Sequence, residues 1–152
     1  MELDLAVTIR RPPAVVYAFF VDVQAHVDEA SRSIVPELET VTPGPTRVGT
    51  RWREVVRVAP GVRMTIWSEA TEVEPDRRLI ETFTSAWMRG TLEYAITPTA
   101  DGCELRQRQA VMPRGPFRLL DRPLAGLFRA RIAARLEGIR DFLEAGQSTP
   151  QA

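Results

Sequence analysis

The feature that most constrains this chain lies near its C-terminal end. Leu124, Leu127, Phe128, Ile132, Leu136, Ile139 and Leu143 recur in steps of three and four, which puts them on one stripe of a helix about six turns long. Asp121 is placed to cap its start, Pro123 suits its first turn, and Gly146 stops it. Arg129, Arg131, Arg135 and Arg140 fall mostly off the stripe by this reading. One long helix with one apolar stripe must bury that stripe on a partner, and the preceding sequence supplies a sheet.

Leu3, Leu5, Val7 and Ile9 alternate with polar or small residues, the period of a half-buried strand. Pro12-Pro13 ends it and opens a helix through Val16, Phe19, Phe20 and Val23. A second short helix is predicted over Asp22 to Ala30. Strands follow at Ile34 to Thr42, Val48 to Val58, Val62 to Val73, Leu79 to Ser85, Gly90 to Thr97 and Cys103 to Met112. Turn signals separate them, among them Pro43-Gly44-Pro45, Ala59-Pro60-Gly61, Glu74-Pro75-Asp76 and Ala100-Asp101-Gly102. Phe117 to Leu120 form a short turn before the long helix. The expected fold is α+β: a curved, antiparallel, seven-stranded sheet wrapped around the long C-terminal helix, with two short helices after strand 1. Residues 1–146 are expected to form a single domain and 147–152 a disordered tail.

A straight helix cannot touch a curved sheet everywhere, so a gap is expected between them, of the kind that takes small molecules. Alternation assigns its walls. On the third strand Trp52, Glu54, Val56 and Val58 face inward, and Arg51, Arg53 and Arg57 face solvent. On the fourth, Met64, Ile66, Ser68 and Ala70 face inward; on the sixth, Leu92, Tyr94 and Ile96; on the seventh, Leu105, Gln107, Gln109 and Val111. The fifth is ambiguous, with Leu79, Glu81 and Phe83 against Ile80, Thr82 and Thr84. The candidate ligand-binding residues are therefore Trp52, Glu54, Val56, Met64, Ile66, Ser68, Phe83, Leu92, Tyr94, Gln107 and Gln109, with Phe128 and Ile132 from the helix. The inward polar set is Glu54, Ser68, Tyr94, Gln107 and Gln109. Such groups either satisfy one another and bound water or orient a ligand's carbonyl or hydroxyl.

Several chemistries find little support. All twenty basic residues are arginine, so no lysine amine is present for Schiff-base catalysis. One histidine, His26, and one cysteine, Cys103, do not make a usual zinc or iron site. His26 reads as a solvated surface group and Cys103 as a buried thiol. No phosphate loop, dinucleotide fingerprint or nucleophile elbow occurs. The expectation is no cofactor and no metal. The formal net charge is zero, which argues against nucleic acid as a partner. The arginine row of the third strand reads as a solvated face. Glu69, Glu72, Glu74 and Asp76 cluster at one hairpin, with Arg106 and Arg108 placed across the sheet from them. Trp67 and Trp87 are candidates for exposure. No transmembrane segment or leader is expected, and the chain is expected to be cytoplasmic.

The order of the pieces resembles the helix-grip superfamily of START lipid-transfer domains, birch-pollen-allergen-like proteins and polyketide cyclases/dehydrases (SRPBCC). Three segments carry the resemblance: Ile9-Arg10-Arg11-Pro12-Pro13 with Val16, Phe19 and Asp22; Gly44-Pro45 through Val48-Gly49-Thr50-Arg51-Trp52; and Glu72-Val73-Glu74-Pro75 with Arg78-Leu79-Ile80. Where the family carries a tryptophan after its second helix, this chain has Ile34-Val35-Pro36. The resemblance implies binding of a hydrophobic small molecule, aromatic, polyketide- or isoprenoid-like. It equally admits a cofactor-independent cyclase/dehydratase, with Tyr94, Glu54 or Gln107 moving protons. A third reading is a co-chaperone-like or quinone-handling interaction module.

Overall fold

A computed structural model describes residues 1–21 and 37–146. In chain order these form β1 (Glu2–Ile9), α1 (Pro13–Val21), β2 (Glu37–Thr40), β3 (Arg51–Ala59), β4 (Val62–Glu74), β5 (Arg78–Thr84), β6 (Met88–Thr99) and β7 (Gly102–Pro113). A 3₁₀ turn (Gly115–Leu120) then leads into α2 (Asp121–Ala145). The predicted second helix over Asp22 to Ala30, His26, the start of the predicted Ile34 strand and the tail lie outside the described residues, as do the side chains of Val58 and Leu124.

The strands form one antiparallel sheet in the order β1-β7-β6-β5-β4-β3-β2. From β2 to β7 the chain meanders between neighbours, and β1 returns to the far edge beside β7. The pairing register shifts between Arg57 and Ala59 on β3 and between Ala70 and Glu72 on β4. An extra residue of this kind bends its strand and increases the local twist, so the β3–β4 side of the sheet curls. The turn before β5 places Asp76 at φ 60, a left-handed conformation that a short polar side chain tolerates.

Helix α2 lies on the face formed by the inward residues. Its Ile132, Leu136, Ile139 and Leu143 join one core with Leu3, Ile9, Ile96, Leu105 and the aromatic side of α1. The helix is held most firmly at its C-terminal end. There Glu144 accepts from the backbone N–H of Arg10 at 2.8 Å and from its guanidinium at 3.0 Å. Phe142 packs against Phe19 of α1 with ring centroids 5.8 Å apart. At the other end Leu127 is 45% exposed and Phe128 only half-buried. The helix therefore leaves the sheet progressively toward its N-terminus.

Several outward charges pair along the sheet. Glu69 binds Arg51 at 2.6 Å and Glu72 binds Arg78 at 3.0 Å, whereas Arg106 and Arg108 reach Asp4, Glu104 and Glu93. Trp67 is 48% exposed, while Trp87 is half-buried and stacks on Phe117 at 5.0 Å. No helix among the described residues is long and apolar enough to cross a membrane.

Gly90 of β6 shows how closely neighbouring strands of the sheet approach. A Cβ there would strike the carbonyl oxygen of Ala110 and come within 2.7 Å of the Phe83 ring. Gly90→Ala is expected to cost about 2 kcal/mol through overpacking. Chemical denaturation of the variant beside the wild type checks this; an unchanged midpoint would show that the strands can part without cost.

Candidate functional site

The divergence of α2 opens a cavity of about 190 Å³ between the helix and strands β3 to β7. A smaller chamber of about 50 Å³ adjoins it and reaches toward α1. The two share Glu54, Glu81, Leu92 and Arg135. The outer, larger space is walled by Val56, Met64, Ile66, Phe83, Met88 and Leu92 from the sheet and by Leu127, Phe128 and Ile132 from the helix. The inner chamber is closed by Phe20, Trp52, Leu79 and Tyr94. Phe20 and Tyr94 lie ring to ring at 4.3 Å, so α1 forms the back wall.

Each of the candidate ligand-binding residues borders one of these spaces. Glu54, Val56, Met64, Ile66, Ser68, Phe83, Leu92, Gln107, Gln109, Phe128 and Ile132 line the larger cavity, and Trp52 and Tyr94 the smaller. Two charged residues that the alternation did not select are there as well. Glu81 is 8% exposed, because the ambiguous fifth strand turns Leu79, Glu81 and Phe83 inward. Arg135 lines both spaces, which corrects its placement off the apolar stripe. Three residues from Ile132 and four from Ile139, it falls within the stripe, and that spacing was the available signal. Arg57 is exposed, as expected, and also borders the cavity. Arg131 stands opposite on the helix.

The polar groups at the inner end form one electrostatic unit. The guanidinium of Arg135 lies beside Tyr94, its Cζ 6.0 Å from the ring centroid. Burial pushes the carboxyl of Glu81 up to about 8, with the nearby charge of Glu54 adding to the effect and Arg135 opposing it. Burial raises Glu54 too, against the pull of Arg135 and a hydrogen bond with Trp52. Burial likewise pushes the Tyr94 phenol up, well above its ordinary value. One guanidinium thus faces two carboxyls in a poorly solvated space, and at neutral pH Glu81 keeps its proton. Two polar atoms here lack a protein partner: the Oε1 of Gln107, a residue only 2% exposed, and the Nε of Arg135. The Gln107 amide nitrogen donates to Gln109 at 3.5 Å. No group of three or more metal-ligating side chains occurs among the described residues.

A wider groove of about 530 Å³ runs along the other face of the sheet between Trp67 and Met112. Its Arg51 and Glu69 are solvated and paired with each other. It offers nothing like the inner cluster.

Comparison with known proteins follows this geometry. Residues 1–144 match the family described as polyketide cyclase / dehydrase and lipid transport. No curated protein matches the chain. Among solved structures, the Zhui aromatase/cyclase from Streptomyces sp. R1128 superimposes with a TM-score of 0.83 at 16% identity, covering 100% of this chain and 98% of that one. TTHA0849 from Thermus thermophilus gives 0.77 at 21% identity, covering 97% and 100%. DynU16, from the dynemicin biosynthetic locus, gives 0.69 at 16% identity, covering 95% of this chain and 48% of its own. At these identities the likeness establishes the fold, an α+β helix-grip arrangement with an open antiparallel sheet and a C-terminal helix.

The buried carboxyl makes stability depend on pH with a definite sign. The folded state holds the Glu81 proton more tightly than the unfolded state, whose carboxyl sits near the ordinary 4.5. Stability is therefore expected to fall as pH rises from about 4.5 to about 8 and to level off above that. Glu54, raised by burial, contributes with the same sign. Glu81→Gln should flatten most of this slope and melt higher than the wild type at pH 8. Thermal melts across the range check it; parallel slopes in the two proteins would mean that Glu81 is ionised in the fold.

Proposed function

Because the chain belongs to the polyketide cyclase / dehydrase and lipid transport family, we propose that it binds a hydrophobic small molecule in the cavity between the sheet and α2. The molecule is aromatic, polyketide- or isoprenoid-like. The observation that carries this reading is the unpartnered Oε1 of Gln107 in a cavity that hydrophobic side chains wall from both the sheet and the helix. A buried acceptor without a partner costs roughly 1–3 kcal/mol, and a ligand's hydroxyl or N–H offsets that cost. The cavity, at about 190 Å³, is smaller than the ~300 Å³ at which drug-sized sites begin. It suits a compact ring system or one end of a longer molecule whose remainder passes between Arg57 and Arg131.

A cyclase/dehydratase role is the second reading. It is favoured by the two carboxyls, phenol and guanidinium at the inner end, a set able to move protons at neutral pH.

With 2-naphthol as probe, titration should quench the fluorescence of Trp52 at the chamber wall. The double variant Gln107→Leu, Gln109→Leu should weaken that binding by about tenfold and shift the melting temperature by no more than about 3 °C. Equal affinity with altered melting would assign the two glutamines a purely structural role. Native mass spectrometry of protein purified from its own host, beside the denatured spectrum, would identify any retained ligand.

A further inference from the structure

Beyond containment, the inner end of the cavity has the parts of a reaction site. Glu54 on β3, Glu81 on β5, Tyr94 on β6 and Arg135 on α2 meet where the two spaces join. Around them, Gln107 of β7 presents its unpartnered oxygen, Phe20 of α1 closes the back, and Arg57 and Arg131 stand toward the mouth. The balance of charge narrows the chemistry. Burial keeps the Glu81 carboxyl protonated up to about pH 8, while Arg135 favours the ionised form of Glu54 against the effect of burial. The cluster offers a proton donor and a base in one small volume.

We propose that this cluster transfers protons next to a carbonyl, making the protein an isomerase of small cyclic unsaturated ketones. The proposal rests on the ligand-binding reading above. The ketone oxygen accepts from the Glu81 carboxyl O–H and from the Tyr94 hydroxyl, which burial keeps protonated. The Glu54 carboxylate removes a hydrogen from the carbon beside the carbonyl. The C–H electron pair becomes a new C=C bond, and the carbonyl π pair moves onto the oxygen held by the two donors. Glu54, now protonated, returns the hydrogen to the carbon at the far end of the dienolate, and the carbonyl re-forms. The net change is a shifted double bond; Glu54 ends as carboxylate, Glu81 and Tyr94 keep their protons, and no oxidant or co-reactant is consumed. A neutral carboxylic acid in an apolar site is a strong donor to a developing enolate. A base that burial makes more basic than an ordinary carboxylate is better matched to a carbon acid.

The test uses two probes. Binding of 1-tetralone is read from Trp52 fluorescence, and its deuterium uptake at the carbon beside the carbonyl in D₂O is read by NMR. Conversion of 3-cyclohexenone to the conjugated 2-cyclohexenone is read by its ultraviolet absorbance. The wild type should accelerate both reactions about 100-fold or more over buffer. Glu54→Gln should abolish the gain while retaining tetralone binding, and Glu54→Asp should restore part of it. Glu81→Gln should lower the rate and remove a decline that the wild type shows above about pH 8. Tetralone binding without exchange would overturn the isomerase and leave the binding reading intact. Failure of both tetralone and 2-naphthol to bind would overturn both. Wild-type rates in Glu54→Gln would remove Glu54 as the base.

Discussion

A straight helix clamped at one end governs the rest of this structure. Glu144 is fixed to the end of β1 through Arg10, and Phe142 is wedged against α1. At about 1.5 Å per residue, the 25 residues of α2 extend nearly 40 Å from that clamp. The bulges on β3 and β4 bend the sheet over the same distance. The two surfaces cannot remain in contact along their whole length. The cavity is the geometric remainder, and its depth is set by where Ile139 and Leu136 stop touching the sheet and Phe128 begins to stand away from it.

Into that remainder the fold places charge. A guanidinium, two carboxyls and a phenol withdrawn from water would each carry a heavy desolvation cost alone. Together they moderate it: Arg135 supports one carboxylate and the Tyr94 hydroxyl, and the second carboxyl avoids ionising. Stability alone would favour aliphatic side chains at these positions, as buried ion pairs often gain nothing over them. That four elements each contribute one such group to the same small volume is the main reason to regard the space as more than a packing defect.

Much of this was legible in the sequence, and the parts that were not fail for definable reasons. Strand periodicity placed Glu54, Ser68, Tyr94 and Gln107 on the inner face because hydrophobic neighbours at spacing two left no alternative. Around Glu81 the neighbours on both faces are mixed, Leu79 and Phe83 against Ile80, so alternation could not choose. The choice came from pairing, in which Leu79 lies opposite Tyr94 and Glu81 opposite Leu92. Arg135 was assigned outward because an arginine on an amphipathic helix usually belongs to the solvent face. Its spacing from Ile132 and Ile139 said otherwise, but only a polar counterpart on the sheet makes that position tenable, and no local pattern reveals a counterpart so distant in the chain as Tyr94, Glu81 or Glu54.

The two free edges of the sheet complete the picture. Among the described residues its outermost strands are β1 and β2, and Asp4 on one and Glu39 on the other are exposed acids. Unpaired edge strands are templates for adding another chain. Here Asp4 is held by Arg106 and Arg108, and Glu39 by Arg53. The meander that leaves a cavity inside therefore also leaves borders dressed in ion pairs, and charged side chains of this kind blunt an edge against the addition of another strand.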